Sequence, residues 1–334
     1  MNISGHWRAV IAPGEIGRRT LDLGRVLAAR FSNRRYPLYV QFLMTERCAL
    51  RCAYCEVPGM ASEEMTTDAI LAMFDELCRA GMRKLTLTGG DPLVRSDLPQ
   101  IIHFVRERNV FCNIITTGHL LPRRIDEIRR LNLVVVSIDG SKDAHDRLRG
   151  AGSFDAAMEG IRTCVDAGIP VATNTVVTRH NMDRLGEALD LAERYRCMAM
   201  FSPVEIFHAS IDRPENRAME LDAGEIDRLV EYLLDAKSRG RPVGHTRHAL
   251  KLWRMKPTMS HCRWAGRLFC SILPSGRVAS CNPLMGAGFS WQNGREIGYV
   301  NAMRRMPDFH CNGCYTGFPE VDRMLSLDPR AWFD

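Results

Sequence analysis

Apolar, β-branched runs recur along the chain, separated by stretches patterned for helix. They stand at 37–44 (PLYVQFLM), 84–90 (KLTLTGG), 111–118 (FCNIITTG), 133–140 (LVVVSIDG), 170–178 (PVATNTVVT) and 197–205 (CMAMFSPVE). Length and composition make each a strand. The segment TTDAILAMFDELCRAG shows the helical type: Thr66 or Thr67 can cap it, Ile70, Met73, Phe74 and Leu77 recur at helical spacing, and Gly81 can end it. Six strands, each followed by a helix, predict an α/β fold whose parallel sheet, built from right-handed crossovers, forms an open or partial barrel. In such folds the chemistry gathers at the C-terminal ends of the strands.

The alternation stops near residue 240. The expected organisation is a basic, partly helical N-terminal extension over 1–36, the partial barrel over 37–240, and a small second domain over 241–334 that carries five of the twelve cysteines. The formal net charge of +6 is spread along the chain, and no basic patch interleaved with aromatics suggests nucleic acid. No apolar run of about 18 residues and no signal peptide is visible, so a cytoplasmic protein without a membrane partner is expected. In a reducing compartment, cysteines in tight local groups favour metal over disulfides.

The tightest group is TERCALRCAYCEVPG, which spaces Cys48, Cys52 and Cys55 as C-x3-C-x2-C directly after the first strand. Three thiolates around an iron-sulfur cube leave one iron without a protein ligand. A zinc knuckle lacking its fourth ligand is the alternative. The spacing and position resemble the radical S-adenosylmethionine (SAM) superfamily. The resemblance implies a 4Fe-4S cluster whose open iron chelates SAM, reductive cleavage of SAM to a 5'-deoxyadenosyl radical, and an electron donor such as flavodoxin or ferredoxin.

Further motifs follow in order. LTLTGGDPL, ending the second strand, resembles the GGEP motif that holds the SAM amino group, which implies that role for Gly89, Gly90, Asp91 and Pro92, with Asp91 replacing the commoner Glu. ITTGHLL has Thr117 where relatives often have Asn, and only Thr116 carries over as a position lining the site. SIDGSKDAHDRLRG resembles the corresponding stretch of superfamily members with a SPASM or Twitch extension; by that resemblance Ser137 and Arg149 reach the SAM amino acid, Arg149 as the fixed fork for its carboxylate. Asn174 is the candidate for the ribose, and Tyr54 matches the aromatic position near the adenine.

Near the C-terminus, Cys262 and Cys281 flank a Pro-Ser-Gly hairpin signal, and CNGC supplies Cys311 and Cys314. Four thiolates would ligate a second 4Fe-4S cluster or a zinc ribbon. The arrangement resembles a Twitch domain with one auxiliary cluster, the chain ending 20 residues after Cys314. Cys78, Cys112, Cys164 and Cys197 read as core residues. Cys270 could be a core residue, a substitute ligand for Cys262, or a thiol facing the substrate as hydrogen donor.

The expected substrate is a small metabolite of sugar, aminocyclitol or nucleoside type, oxidised or epimerised after hydrogen abstraction, with oxidation preferred. Maturation of a ribosomally synthesised peptide and radical decarboxylation are the alternatives. The first 36 residues are too short for the winged-helix recognition domain that peptide-modifying relatives often carry.

Overall fold

The six apolar runs become six parallel strands: β1 (Tyr39–Thr45), β2 (Lys84–Gly89), β3 (Phe111–Thr116), β4 (Leu133–Ser137), β5 (Val171–Val177) and β6 (Met198–Pro203). The structure, a computed structural model, describes residues 16–32, 34–55, 57–59, 63–205, 217–254, 265–281, 291–307 and 315. Nine strands form one sheet in the order β6-β5-β4-β3-β2-β1-β7-β8-β9, adding β7 (Phe269–Ile272), β8 (Arg277–Ala279) and β9 (Gln292–Asn293). Among the described residues β6 and β9 end the sheet without pairing to each other, and the parallel strands form a partial barrel.

Helix α1 (Ile16–Phe31) precedes the sheet, and its Val26 and Ala29 pack on Leu38 and Leu268 at the N-terminal end of β1 and β7. Arg83, entering β2, donates from Nε to both carboxylate oxygens of Asp22 on α1 (3.1 and 2.8 Å). Helix α2 (Thr67–Ala80) has Thr66 as its N-cap, accepting from Ala69 N, and Gly81 as a left-handed C-cap. Its buried Ile70, Met73, Phe74 and Leu77 meet Val40, Phe42 and Met44 of β1 in the main core, with Phe42 and Phe74 edge to face at 5.7 Å.

Because side chains alternate along a strand, Gln41, Leu43 and Thr45 then face the concave side of the sheet. On that side a second cluster joins Leu133, Val135 and Ala172. Polar ties cross it as well, from Tyr39 to Thr86 to Asn113 (2.9 Å each) and from Ser202 to Asn174 (3.0 Å).

The crossovers place α3 (Leu98–Glu107), α4 (Leu121–Arg124), α5 (Lys142–Arg149), α6 (Ser153–Asp166) and α7 (Leu185–Arg194) between successive strands, followed by α8 (Ala223–Ser238) and α9 (Arg247–Arg254). Beyond residue 241 the chain lies on both flanks of the barrel. Residues 242–244 bridge to β6, with Ala199 N donating to Pro242 O and Gly244 N to Ala199 O (2.8 Å each). β7 then pairs in parallel with β1, Tyr39 to Phe269 through Phe42 to Ile272. The Pro-Ser-Gly signal is the turn of the β7–β8 hairpin, closed by Gly276 N to Leu273 O (2.9 Å) with Gly276 at φ +85°. Helices α10 (Gly294–Ile297) and α11 (Tyr299–Arg304) follow, and Tyr299 and Met303 join the same core as the barrel.

Candidate active site

The cysteine loop leaves β1 at the C-terminal end of the sheet, and its two arms are anchored separately. The Cys48 arm rests on the glycine pair after β2. Gly90 N donates to Thr45 O (2.7 Å) and Asp91 N to Arg47 O (2.9 Å). A Cβ on Gly89 would stand 2.2 Å from Thr45 O, one on Gly90 2.2 Å from Arg47 O, and Gly89 has φ +132°. The glycines are therefore needed where two backbones touch, beside any role toward a ligand.

Asp91 is buried, and its carboxylate accepts from Leu93 N (3.0 Å), Thr116 Oγ1 (3.0 and 2.9 Å), Thr117 N (3.1 Å) and Thr117 Oγ1 (2.6 Å). Pro92 begins the short turn that Asp91 caps. Thr116 Oγ1 also accepts from Gly118 N (3.1 Å), so this hydroxyl braces the loop from within.

The Cys52–Cys55 arm is tied to the end of β4 and to α5. Ala53 N donates to Leu148 O (2.8 Å), and Tyr54 Oη donates to Asp139 Oδ2 (2.8 Å). Arg149 grips the same carboxylate, with Nε to Oδ2 (2.6 Å) and Nη2 to Oδ1 (3.2 Å), while its Nη1 lies 3.9 Å from Cys52 Sγ. The guanidinium fork assigned by resemblance to a SAM carboxylate is thus held along one edge by a residue of the protein. Asp139 belongs to the SIDG motif beside Ser137, but is not among the site residues that the sequence suggests. Its signal was the motif itself.

Ser137, the last residue of β4, is the register partner of Asn174, midway along β5. Asn174 Oδ1 accepts from Ser202 Oγ, a partner that the sequence did not suggest. Tyr54, Gly89, Gly90, Asp91, Thr116, Ser137 and Arg149 therefore belong to the C-terminal end of the barrel, and Asn174 is level with the end of β4.

The three thiols suit a cube. Burial raises Cys48 above its ordinary value and pushes Cys52 up to about 11, opposed by Arg149, and each also feels the charge of Cys55. Such thiols stay protonated until a metal displaces the proton. Among the described residues, no three His, Cys, Asp or Glu side chains converge on a single ion-sized point.

Cys270 is not brought to this site. It is buried beside Val40, which faces the helical core, and burial pushes its thiol up to about 12. Val40 lies five residues before Thr45, about 16 Å down the strand at about 3.3 Å per residue. The position fits the core alternative and keeps the thiol away from the loop of Cys48, Cys52 and Cys55. Cys112, Cys164 and Cys197 are buried in the same core, and Cys78 packs against it. Cys281 follows β8, where Ser271 pairs with Ala279 and Gly266 N donates to Ser280 O (3.1 Å), so it lies toward the N-terminal end of β7, away from Cys48. Cys262, Cys311 and Cys314 lie outside the described residues.

Residues 42–192 match the Radical SAM superfamily. This stretch is a radical SAM domain. Among curated relatives, the Fe-coproporphyrin III synthase of Methanosarcina barkeri is 28% identical over 223 residues, 64% of this chain and 56% of its own length. The PqqA peptide cyclase of Rhizobium meliloti is 26% identical over 254 residues, 74% of this chain and 68% of its own. The chain thus spans little more than half of the first. Among solved structures, Streptococcus suis SuiB bound to its precursor peptide SuiA superposes with a TM-score of 0.69 at 14% identity, over 89% of this chain and 71% of SuiB. SuiB bound to S-adenosylmethionine gives the same TM-score. That likeness is one of fold.

These relatives overturn the expectation of a sugar, aminocyclitol or nucleoside substrate, since they are named as an Fe-coproporphyrin III synthase and a peptide cyclase. No helix among the described residues is long and apolar enough to cross a membrane.

Proposed function

We propose that this radical SAM enzyme modifies a peptide, with a 4Fe-4S cluster on Cys48, Cys52 and Cys55 and SAM between the ends of β2, β3, β4 and β5. Bound there, cluster and SAM supply reductive cleavage of SAM and a radical able to take hydrogen from carbon. The protein's own residues orient SAM: Ser137 and Arg149 toward its amino acid, Asn174 toward the ribose and Tyr54 toward the adenine. Cys262, Cys281, Cys311 and Cys314 would hold an auxiliary cluster, and a flavodoxin or ferredoxin would deliver the electron.

The observation that carries the peptide reading is the agreement of two independent likenesses. A peptide cyclase matches 74% of the chain in sequence, and a fold solved with a precursor peptide covers 89% of it. The AdoMet-dependent heme synthase of Methanosarcina barkeri, 26% identical over 78% of this chain and 82% of its own length, favours a second reading, radical decarboxylation of a tetrapyrrole side chain.

One experiment separates them. Reconstituted protein with SAM and dithionite is given either short peptides encoded beside its gene or iron-coproporphyrin, and 5'-deoxyadenosine is measured. Release stimulated by a peptide, with deuterium passing from labelled peptide into 5'-deoxyadenosine, supports the first reading. Stimulation by iron-coproporphyrin alone overturns it in favour of the second.

A further inference from the structure

Asp139 is fully buried, and both carboxylate oxygens are saturated. Oδ2 accepts from Arg149 Nε (2.6 Å) and Tyr54 Oη (2.8 Å), Oδ1 from Arg149 Nη2 (3.2 Å) and Val176 N (2.9 Å). Its backbone is fixed too: Asp139 N donates to His145 Nδ1 (3.1 Å), and Asn181 Nδ2 donates to Asp139 O (3.2 Å). The carboxylate therefore has one orientation, set by β5, by α5, by the cysteine loop and by the turn after β5.

A guanidinium presents donors along more than one edge. With the Nε hydrogen and one Nη2 hydrogen committed to Asp139, Arg149 keeps its Nη1/Nη2 edge, whose Nη1 is directed to Cys52 Sγ at 3.9 Å. Its Cζ lies 5.5 Å from the Tyr54 ring centroid, so the residue between Cys52 and Cys55 touches the pair twice, through its ring and its hydroxyl. The cation is held in place before any ligand arrives, which reduces the ordering required on binding.

We propose that Asp139 is a positioning residue for SAM binding: it holds the Nε/Nη2 edge of Arg149 so that the Nη1/Nη2 edge is left for the ligand, and through Tyr54 it registers the Cys52–Cys55 arm to that cation. The proposal rests on the assignment of Cys48, Cys52 and Cys55 to a cluster and is independent of the substrate, so failure of the peptide reading leaves it intact.

The test uses cluster-loaded, substrate-free protein as wild type, Asp139→Asn, Arg149→Lys and the double variant. The readouts are SAM affinity by equilibrium dialysis and the change that SAM causes in the electron paramagnetic resonance spectrum of the reduced cluster. Each single change should weaken SAM about tenfold or more and suppress the spectral change at unaltered iron content, and the double should lose no more than about twofold further, since both break one linkage. Wild-type affinity in Asp139→Asn, or losses that multiply in the double, overturns the proposal.

Should Asp139→Asn fail to fold, Tyr54→Phe decides, because it removes only the hydroxyl arm. Combined with Arg149→Lys it should again be less than multiplicative, and multiplication overturns the proposal. In cluster-free Tyr54→Phe, exchange of the Ala53 amide, which donates to Leu148 O, should quicken severalfold. Unchanged exchange overturns the role of Tyr54 in registering the arm.

Discussion

Gly90 lies so close to Arg47 that a Cβ on it would meet the Arg47 carbonyl oxygen at 2.2 Å. Arg47 immediately precedes Cys48, so the contact transmits any displacement of the turn after β2 straight to the first cysteine. Gly90→Ala should shift that arm at a cost of about 1–3 kcal/mol, the scale of forcing extra bulk into a packed contact, and strip the first cluster. Iron and sulfide assays after reconstitution check this, the expected result being loss of about four irons, one cube.

Asp91→Asn should destabilise the fold even without SAM. The wild-type carboxylate accepts from Leu93, Thr116 and Thr117, and an amide offers one acceptor where these donors need two. A loss of about 2 kcal/mol is expected, measured by urea denaturation with the slope unchanged.

Acid should weaken the protein through two buried imidazoles. Burial pushes His145 and His245 down to about 4, reinforced by Arg149 in the first and Lys237 in the second. Above about pH 6.5 neither folded nor unfolded chain protonates them, and their contribution to stability is fully present. As pH falls from there toward 4, the unfolded chain takes up protons that the folded one refuses, so stability drops by up to about 1.4 kcal/mol per pH unit for each. His245→Gln, which can keep an acceptor for Phe201 N, should remove about half of that slope. Urea midpoints at pH 7, 6 and 5 measure it.

Cys270→Ala should cost only a small cavity, about 1 kcal/mol. Formation of 5'-deoxyadenosine and product should both persist, with no change in solvent deuterium at the product carbon. Loss of product with SAM cleavage intact would contradict the burial of this thiol beside Val40.

Metal content tests both cysteine sets. Native protein should hold about eight irons, falling to about four after Cys311→Ala with Cys314→Ala. Replacing Cys48, Cys52 and Cys55 together by Ala should abolish SAM cleavage. Stoichiometric zinc beside about four irons would show a zinc ribbon in place of the second cluster.

Local signals were legible in the sequence because local physics decides them. The six strands follow from apolar runs, Thr66 and Gly81 bound α2, and Pro-Ser-Gly turns the hairpin. The loop of Cys48, Cys52 and Cys55 followed from its place after a strand. Pairings between distant residues were not legible. That Cys270 shares a face with Val40 depends on the register of two strands far apart in sequence, and no periodicity reports it. Asp139 was read as part of a motif, but its grip on Arg149 and Tyr54 needs three segments in one place.

The parallel pairing of β1 with β7 also orders events in time. Phe42 waits for Ile272, roughly 230 residues later. At about 5–20 residues per second, a ribosome takes roughly 10–45 s to make the intervening chain. Throughout that interval the strand leading into Cys48 has a bare flank, since β2 can cover only its other side. A nascent chain stalled before residue 269 would thus already display all three cysteines of the loop on an incompletely flanked strand, which makes late translation the moment when this protein is most exposed to oxidation and to pairing with a neighbour.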